Sequence, residues 1–279
     1  MLIDAGDAPD WETPPPPGRY VAGGGEEQLF RHAHDRRLPV MLLGPTGCGK
    51  TRFVEHMAGV LGLPLVTVTC HDDLTTADLV GRHLIKGGDV EWHDGPLTTA
   101  LRKGALCYLD EVVEARPDTL ALLHSLADYR RTLFLERLGE EIVAPDEFLL
   151  VASYNPRPQS SVKELKPSLR QRFTTIRLAY LPPVQEAEVV VSESGATPDV
   201  ASRFVTCATV LRSAVARSAH ARFDPPSTRT LISAAAMVAA GSPFEAALDA
   251  CLLAPLTTDP TMEAAIRELT SAALSEQER

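Results

Sequence analysis

The stretch Gly44-Pro-Thr-Gly-Cys-Gly-Lys50-Thr51 decides the fold. It follows the apolar run Val40-Met-Leu-Leu43 and precedes a segment of helical periodicity, residues 51–61. Glycines at these positions let backbone N–H groups surround a phosphate, and the start of a helix adds the positive end of its dipole. The spacing, with a strand before it and a helix after it, predicts a phosphate-binding loop.

This loop predicts ATP and Mg²⁺ as cofactors. Lys50 can reach the β- and γ-phosphates, and the Thr51 hydroxyl can ligate Mg²⁺. Cys48 need only be small and has no predicted catalytic role. The expected nucleotide-binding residues are Gly44, Pro45, Thr46, Gly47, Cys48, Gly49, Lys50, Thr51 and Arg52.

A second apolar run, Ala105-Leu-Cys-Tyr-Leu109, ends in Asp110 and Glu111. Acids often begin a loop, so this pattern alone is weak. Placed about 60 residues after a phosphate loop, it indicates catalysis, because parallel sheets bind ligands at the carboxyl ends of their strands. We expect Asp110 to hold Mg²⁺ through water and Glu111 to polarise the water that attacks the γ-phosphate.

A third candidate, Asn155, follows the apolar run Phe148-Leu-Leu-Val-Ala-Ser153. An amide there can orient the attacking water and sense the γ-phosphate. Asn155-Pro156 is also a turn-favouring pair, and both interpretations can hold together.

Up to about residue 180, short apolar runs alternate with helical stretches such as 117–129. This alternation predicts an α/β core with a five-stranded parallel sheet. From about residue 184 onward, alanine-rich segments predict helices. The predicted strands are 40–43, 64–69, 105–109, 148–153 and 174–178, and the predicted late helices are 199–219, 228–240, 243–253 and 260–273. The expected domains are a flexible proline-rich tail (1–19), a nucleotide-binding domain (20–181) and a helical lid (182–279).

The composition of the chain indicates which partners and which cellular location to expect. The net charge of -10 disfavours a nucleic-acid partner. No run of about 18 apolar residues is present, which argues against membrane insertion. The five cysteines form no CxxC pair, so we expect reduced thiols and a cytoplasmic location.

Two segments are expected to be hairpins inserted into the α/β unit. The first runs from Gly81 to His93 with Gly87-Gly88 at its turn, and the second joins 131–136 to 140–144. Trp92 in the first hairpin is either a solvated side chain that grips a partner or a core residue.

The order of these motifs, followed by Arg170-Gln-Arg172-Phe173 and Ser227-Thr-Arg229, resembles the MoxR-type AAA+ ATPases. The stretches Cys70–Gly81 and Trp92–Leu97 are most similar to the CbbQ/NorQ/NirQ group, and the gas-vesicle protein GvpN is a more distant match. The resemblance covers about residues 20–260.

The resemblance implies a homo-hexameric ring with nucleotide sites between subunits. Arg172, which lies 17 residues after Asn155, matches the arginine finger given to the neighbouring subunit, and Arg170 is a second candidate. Arg229 matches a sensor that contacts the γ-phosphate of its own subunit. The two hairpins correspond to the helix-2 insert and the pre-sensor hairpin.

The resemblance further implies an ATP-hydrolysing motor that remodels a client enzyme together with an adaptor carrying a von Willebrand factor A domain. The client would be rubisco or nitric oxide reductase. The alternative is a nucleotide-dependent assembly factor of the gas-vesicle type, in which ATP-bound shape matters more than turnover. A DNA-directed AAA+ protein is disfavoured by the acidic charge and by the lack of a DNA-binding motif.

Overall fold

The computed structural model describes residues 20–155, 165–217 and 224–277, so the predicted tail, 1–19, lies outside the described residues. The described residues up to Gly44 and from Lys50 to Leu178 form one compact unit. Pro45–Gly49 and the described residues from Ala179 onward form the other.

The first unit is built on a five-stranded parallel sheet with the order β2-β5-β8-β1-β9. This confirms the predicted fold class, and each sheet strand coincides with one of the five predicted runs. The strands, in chain order, are β1 Val40–Leu43, β2 Leu65–Thr69, β3 Gly81–Lys86, β4 Asp89–Asp94, β5 Leu106–Asp110, β6 Thr132–Leu135, β7 Glu140–Val143, β8 Leu149–Tyr154 and β9 Thr174–Arg177.

The central strands are apolar on both faces because both faces are covered, as is usual in parallel sheets. On one face, Met41, Cys107 and Ala152 join the main hydrophobic core. On the other, Leu42 and Val151 are equally buried.

Helices of the first unit connect these strands. The predicted helix 51–61 is confirmed as α2. The predicted helix 117–129 is wrong in extent, because it divides at Leu122 into two short helices and ends at Leu126, before a turn. The helices are α1 Glu26–Asp35, α2 Lys50–Leu61, α3 Thr76–Val80, α4 Pro96–Lys103, α5 Pro117–Ala121, α6 Leu123–Leu126 and α7 Pro167–Arg170.

Both predicted hairpins are present, as β3–β4 and β6–β7. The β3–β4 turn is Gly87-Gly88, with φ values of 64° and 101°. A type I′ two-residue hairpin turn requires positive φ at both central residues, and glycine meets this requirement without strain.

The interpretation of Trp92 as a solvated side chain is wrong. Trp92 is half-buried and packs against the main core, and its Nε1 donates to Asp94 Oδ1 at 2.7 Å. Its ring meets His83 edge-on at 5.1 Å between centroids. The apolar side chains that solvent reaches are at the hairpin tip, where Ile85 is 80% exposed and its cross-strand partner Val90 is 65% exposed.

All the regular secondary structure of the second unit, among its described residues from Ala179 onward, is helical. The helices are α8 Pro183–Ser194, α9 Pro198–Arg217, α10 Thr228–Ala239, α11 Phe244–Leu248 and α12 Pro260–Gln277, with one π-helical turn, Asp249–Leu253, after α11. Their apolar faces, including Phe204, Leu211 and Leu231, form a second core. Among the described residues, no helix combines the length and apolarity needed to cross a membrane.

Replacing Trp92 with alanine should lower the free energy of unfolding by about 2–4 kcal/mol, because a large half-buried side chain leaves a cavity at the hairpin base. Ile85→Ala, at the exposed tip of the same hairpin, should change it by less than about 0.5 kcal/mol. Denaturant unfolding of both variants measures the difference. Equal stabilities would contradict the packing role of Trp92.

Candidate functional site

The predicted phosphate loop lies between β1 and α2. Lys50 and Thr51 are the first two residues of α2, whose first turn carries no acidic side chain. Lys50 Nζ donates to Gly44 O at 2.9 Å, which folds the lysine back over the start of its own loop. A helix start with a cation and without acids suits an anion, because both the dipole and the side-chain charge attract it.

The loop and the acidic strand meet at the carboxyl end of the sheet. Thr51 Oγ1 donates to Asp110 Oδ2 at 3.2 Å, across 59 residues of sequence. Hydroxyl and carboxylate oxygens are the ligands that Mg²⁺ prefers. These two predicted metal ligands are therefore adjacent, and their chemistry fits the ion.

The other oxygen of Asp110 is held by three donors. Asp110 Oδ1 accepts from Tyr108 Oη at 2.7 Å, from Ser153 Oγ at 2.5 Å and from the Glu111 N–H at 3.1 Å. Since Oδ1 is engaged, Oδ2 beside Thr51 is the oxygen available for a cation. Burial raises the pKa of Tyr108, so its hydroxyl stays protonated and can donate.

Glu111 is exposed directly after β5, in a left-handed conformation with φ 54°. Such a conformation costs a non-glycine residue about 1–3 kcal/mol. Its N–H donates to Ser153 Oγ as well as to Asp110, both at 3.1 Å, and these bonds hold the strained residue in place. Strain at the predicted catalytic acid agrees with a functional constraint.

Asn155 is half-buried and immediately follows β8. Strand β8 lies between β5, which ends in Asp110, and β1, which leads into the phosphate loop. The order of the sheet therefore places Asn155 at the same edge as the loop and the acids.

The candidate arginine fingers lie at the opposite edge. Strand β9 begins at Thr174, which pairs with Val40 at the start of β1. Arg172 and the exposed Arg170 precede it, whereas the phosphate loop follows the end of β1, roughly 13 Å away at about 3.3 Å per residue. The Arg172 guanidinium donates to Ser168 O, and its buried Nε has no hydrogen-bond partner among the described residues.

Arg229, the predicted sensor, is exposed in the first turn of α10 in the second unit. The helix starts where the sequence predicts, because Ser227 is its N-cap and accepts from the Thr230 N–H at 3.3 Å.

Sequence reasoning missed Tyr108 and Ser153. Each stands two residues before a predicted site residue, Asp110 and Asn155 respectively. Alternate residues of a strand share a face, so this spacing was an available signal.

Cys70 lies beside the acids but is unsuited to chemistry. Its N–H donates to Asp110 O at 2.9 Å. Burial, followed by the charges of Asp110 and Glu111, raises the pKa of this thiol to about 12. It therefore stays protonated and is a poor nucleophile.

Two family models match this chain. Residues 39–173 match the family described as AAA domain (dynein-related subfamily), and residues 186–273 match the family described as CbbQ/NirQ/NorQ C-terminal.

Relatives match over nearly the whole chain. The denitrification regulatory protein NirQ of Stutzerimonas stutzeri is 48% identical over 96% of this chain and 97% of its own. Protein NorQ of Paracoccus denitrificans is 48% identical over 91% of this chain and 93% of its own. Protein CbbQ of Hydrogenophilus thermoluteolus is 46% identical over 89% of this chain and 92% of its own. The chain therefore belongs to the CbbQ/NirQ/NorQ family of AAA+ proteins.

Proposed function

We propose that this protein hydrolyses ATP and uses the energy to remodel or activate a client enzyme. The observation that carries the proposal is the contact of Thr51 with Asp110 Oδ2, with Glu111 next to it. It supports the proposal because the predicted phosphate loop, Mg²⁺ ligands and general base, which are the parts that phosphoryl transfer needs, then lie close together.

Each residue then has one role in the proposed reaction. Lys50 and the N–H groups of the loop bind the β- and γ-phosphates. Thr51 and Asp110 hold Mg²⁺, which supplies charge neutralisation when bound. Glu111 accepts a proton from the attacking water, and Asn155 orients that water.

The arginine finger acts between subunits of a ring in this proposal. Arg170 and Arg172 precede the amino end of β9, so the length of the sheet separates them from the phosphate loop of their own chain. A neighbouring copy can present them, and a homo-hexamer of the AAA+ type provides that neighbour. The exposed Arg229 is the proposed sensor within the same chain. It belongs to the proposed helical lid, residues 182–279, and the proposed nucleotide-binding domain is residues 20–181.

The client and adaptor are proposed from the family. One relative is named a denitrification regulatory protein and another Protein CbbQ. The first name favours nitric oxide reductase as the client, and rubisco is the client that the family resemblance implies for CbbQ-like members. Identities of 48% and 46% favour neither. We propose a cytoplasmic complex with a von Willebrand factor A domain adaptor, without nucleic acid or membrane insertion.

Glu111→Gln should retain ATP binding and lower hydrolysis at least about 100-fold, because it removes the base and leaves the phosphate loop intact. Phosphate release and calorimetric ATP binding measure the two effects. Glu114→Gln, an exposed acid one turn later, is the control and should hydrolyse normally. Normal turnover in Glu111→Gln would refute its role. Full client activation without turnover would instead favour the gas-vesicle type of assembly factor.

Arg172→Ala, which removes the proposed finger, should lower hydrolysis by about 10³-fold or more. Lys50→Ala should abolish hydrolysis, and a mixture of the two variants should regain part of the activity. A mixed ring places an intact phosphate loop beside an intact finger. Light scattering with ATP and Mg²⁺ checks assembly, and phosphate release checks recovery. Confirmed co-assembly without recovery would exclude action between subunits, and Arg170→Ala in the same assay identifies the main finger.

Tyr108→Phe should raise the Mg²⁺ concentration needed for half-maximal hydrolysis about 3- to 10-fold. It removes one of the three donors that orient Asp110, and the net contribution of one hydrogen bond is about 0.5–1.5 kcal/mol. Mg²⁺ titration at fixed ATP measures the shift, with the exposed Tyr129→Phe as control. An unchanged Mg²⁺ titration would show that the Ser153 hydroxyl and the Glu111 N–H are enough to orient Asp110.

A further inference from the structure

A largely buried ion pair lies in the second unit, where Glu186 is buried and the Arg212 side chain is 13% exposed. Glu186 of α8 is 1% exposed, and Arg212 of α9 donates to both of its carboxylate oxygens, at 2.6 and 2.9 Å. A buried pair of this kind often adds little net stability, because desolvating two charges offsets their attraction. Its other contacts show what the pair holds in place.

The ion pair holds the start of α10 from both sides of Ser227. Thr228 Oγ1 donates to Glu186 Oε1 at 2.5 Å, and Arg212 Nε donates to Pro226 O at 2.9 Å. The residue between these two anchors is the N-cap of the helix that carries Arg229.

These residues contact the phosphate loop at two points, through Tyr180 beside Arg212 and through Ser227. The loop residues Pro45–Gly49 belong to the same compact unit as α8, α9 and α10. The guanidinium carbon of Arg212 lies 3.6 Å from the centroid of the Tyr180 ring, and Tyr180 Oη donates to Thr46 O at 3.0 Å. Ser227 abuts Gly47, where an added Cβ would lie 2.5 Å from Ser227 Cβ.

The bond to Thr46 O has a consequence for the next N–H group. In a trans peptide the carbonyl and the following N–H point in opposite directions. Holding the Thr46 carbonyl on Tyr180 therefore turns the Gly47 N–H to the other side of the loop. Phosphate loops bind their ligand through such N–H groups. Gly47 itself adopts φ 67°, and any larger residue would meet Ser227.

We propose that Tyr180, supported by Arg212 and Glu186, is a positioning residue that presets the phosphate loop for ATP. The proposal rests on the proposed function, since it assumes that the loop binds ATP. It also makes nucleotide affinity sensitive to the packing of α8, α9 and α10, because the same ion pair anchors all three.

The test compares the full-length protein with Tyr180→Phe, which keeps the ring that Arg212 contacts and removes only the hydroxyl. The variant should raise both the Kd and the KM for Mg·ATP about 3- to 10-fold, with kcat within about twofold and an unchanged melting temperature. The fold-change is that of one lost hydrogen bond. Arg212→Lys, which loses the paired donors and the planar stacking group, should shift Kd in the same direction.

Two control variants in the same unit test whether any arginine substitution there changes the Kd for Mg·ATP. Arg203→Lys alters a comparable guanidinium, 3.9 Å from the Phe244 ring centroid, and should leave Kd unchanged. Arg267→Gln alters an exposed ion-pair cluster with Asp249 and Glu263 and should also leave it unchanged.

Unchanged Kd and KM in Tyr180→Phe would overturn the proposal. A lowered melting temperature with unchanged Kd, measured well below that temperature, would also overturn it, because the contact would then be only structural. Failure of the wild-type protein to bind Mg·ATP would instead overturn the proposed function.

Discussion

The carboxylate of Asp110 is the interaction on which the rest of the first unit depends. It joins three segments, because its donors come from α2, from its own strand β5 and from the neighbouring β8. A carboxylate at the end of a buried strand needs such donors to offset its desolvation. The bonds that meet this need also orient its second oxygen beside Thr51 and hold Glu111 in a strained conformation.

The parallel topology explains why the proposed catalytic residues lie in two groups, one at each end of the sheet strands. Strands that all run in one direction gather their carboxyl ends at one edge, where Asp110, Glu111 and Asn155 lie with the phosphate loop. The segment that enters β9 is necessarily at the other edge, and it carries Arg170 and Arg172. A reaction that needs both sets of residues calls for two copies of the chain, which is the physical basis of the proposed ring.

The parts of the fold that the sequence predicted are those with a local physical cause. Five short runs matched the five sheet strands, and the signal was clearest in β1, β5 and β8, whose residues are almost all buried and apolar. Paired glycines at 87 and 88 marked the first hairpin, because few other residues accept that turn. The errors arose where distant packing decides. The predicted helix 117–129 breaks at Leu122, and Trp92, exposed in one interpretation, packs against the main core.

The sequence by itself determined the family, the sheet strands and the identity of the candidate phosphate, metal and base residues, because each depends on residue types at a short, characteristic spacing. Only the tertiary structure decided which oxygen of Asp110 faces Thr51, that Tyr108 and Ser153 hold the other, and that Tyr180 reaches Thr46. Those contacts join residues up to 134 positions apart. A one-dimensional pattern carries no such distances, which follow only from how strands and helices pack.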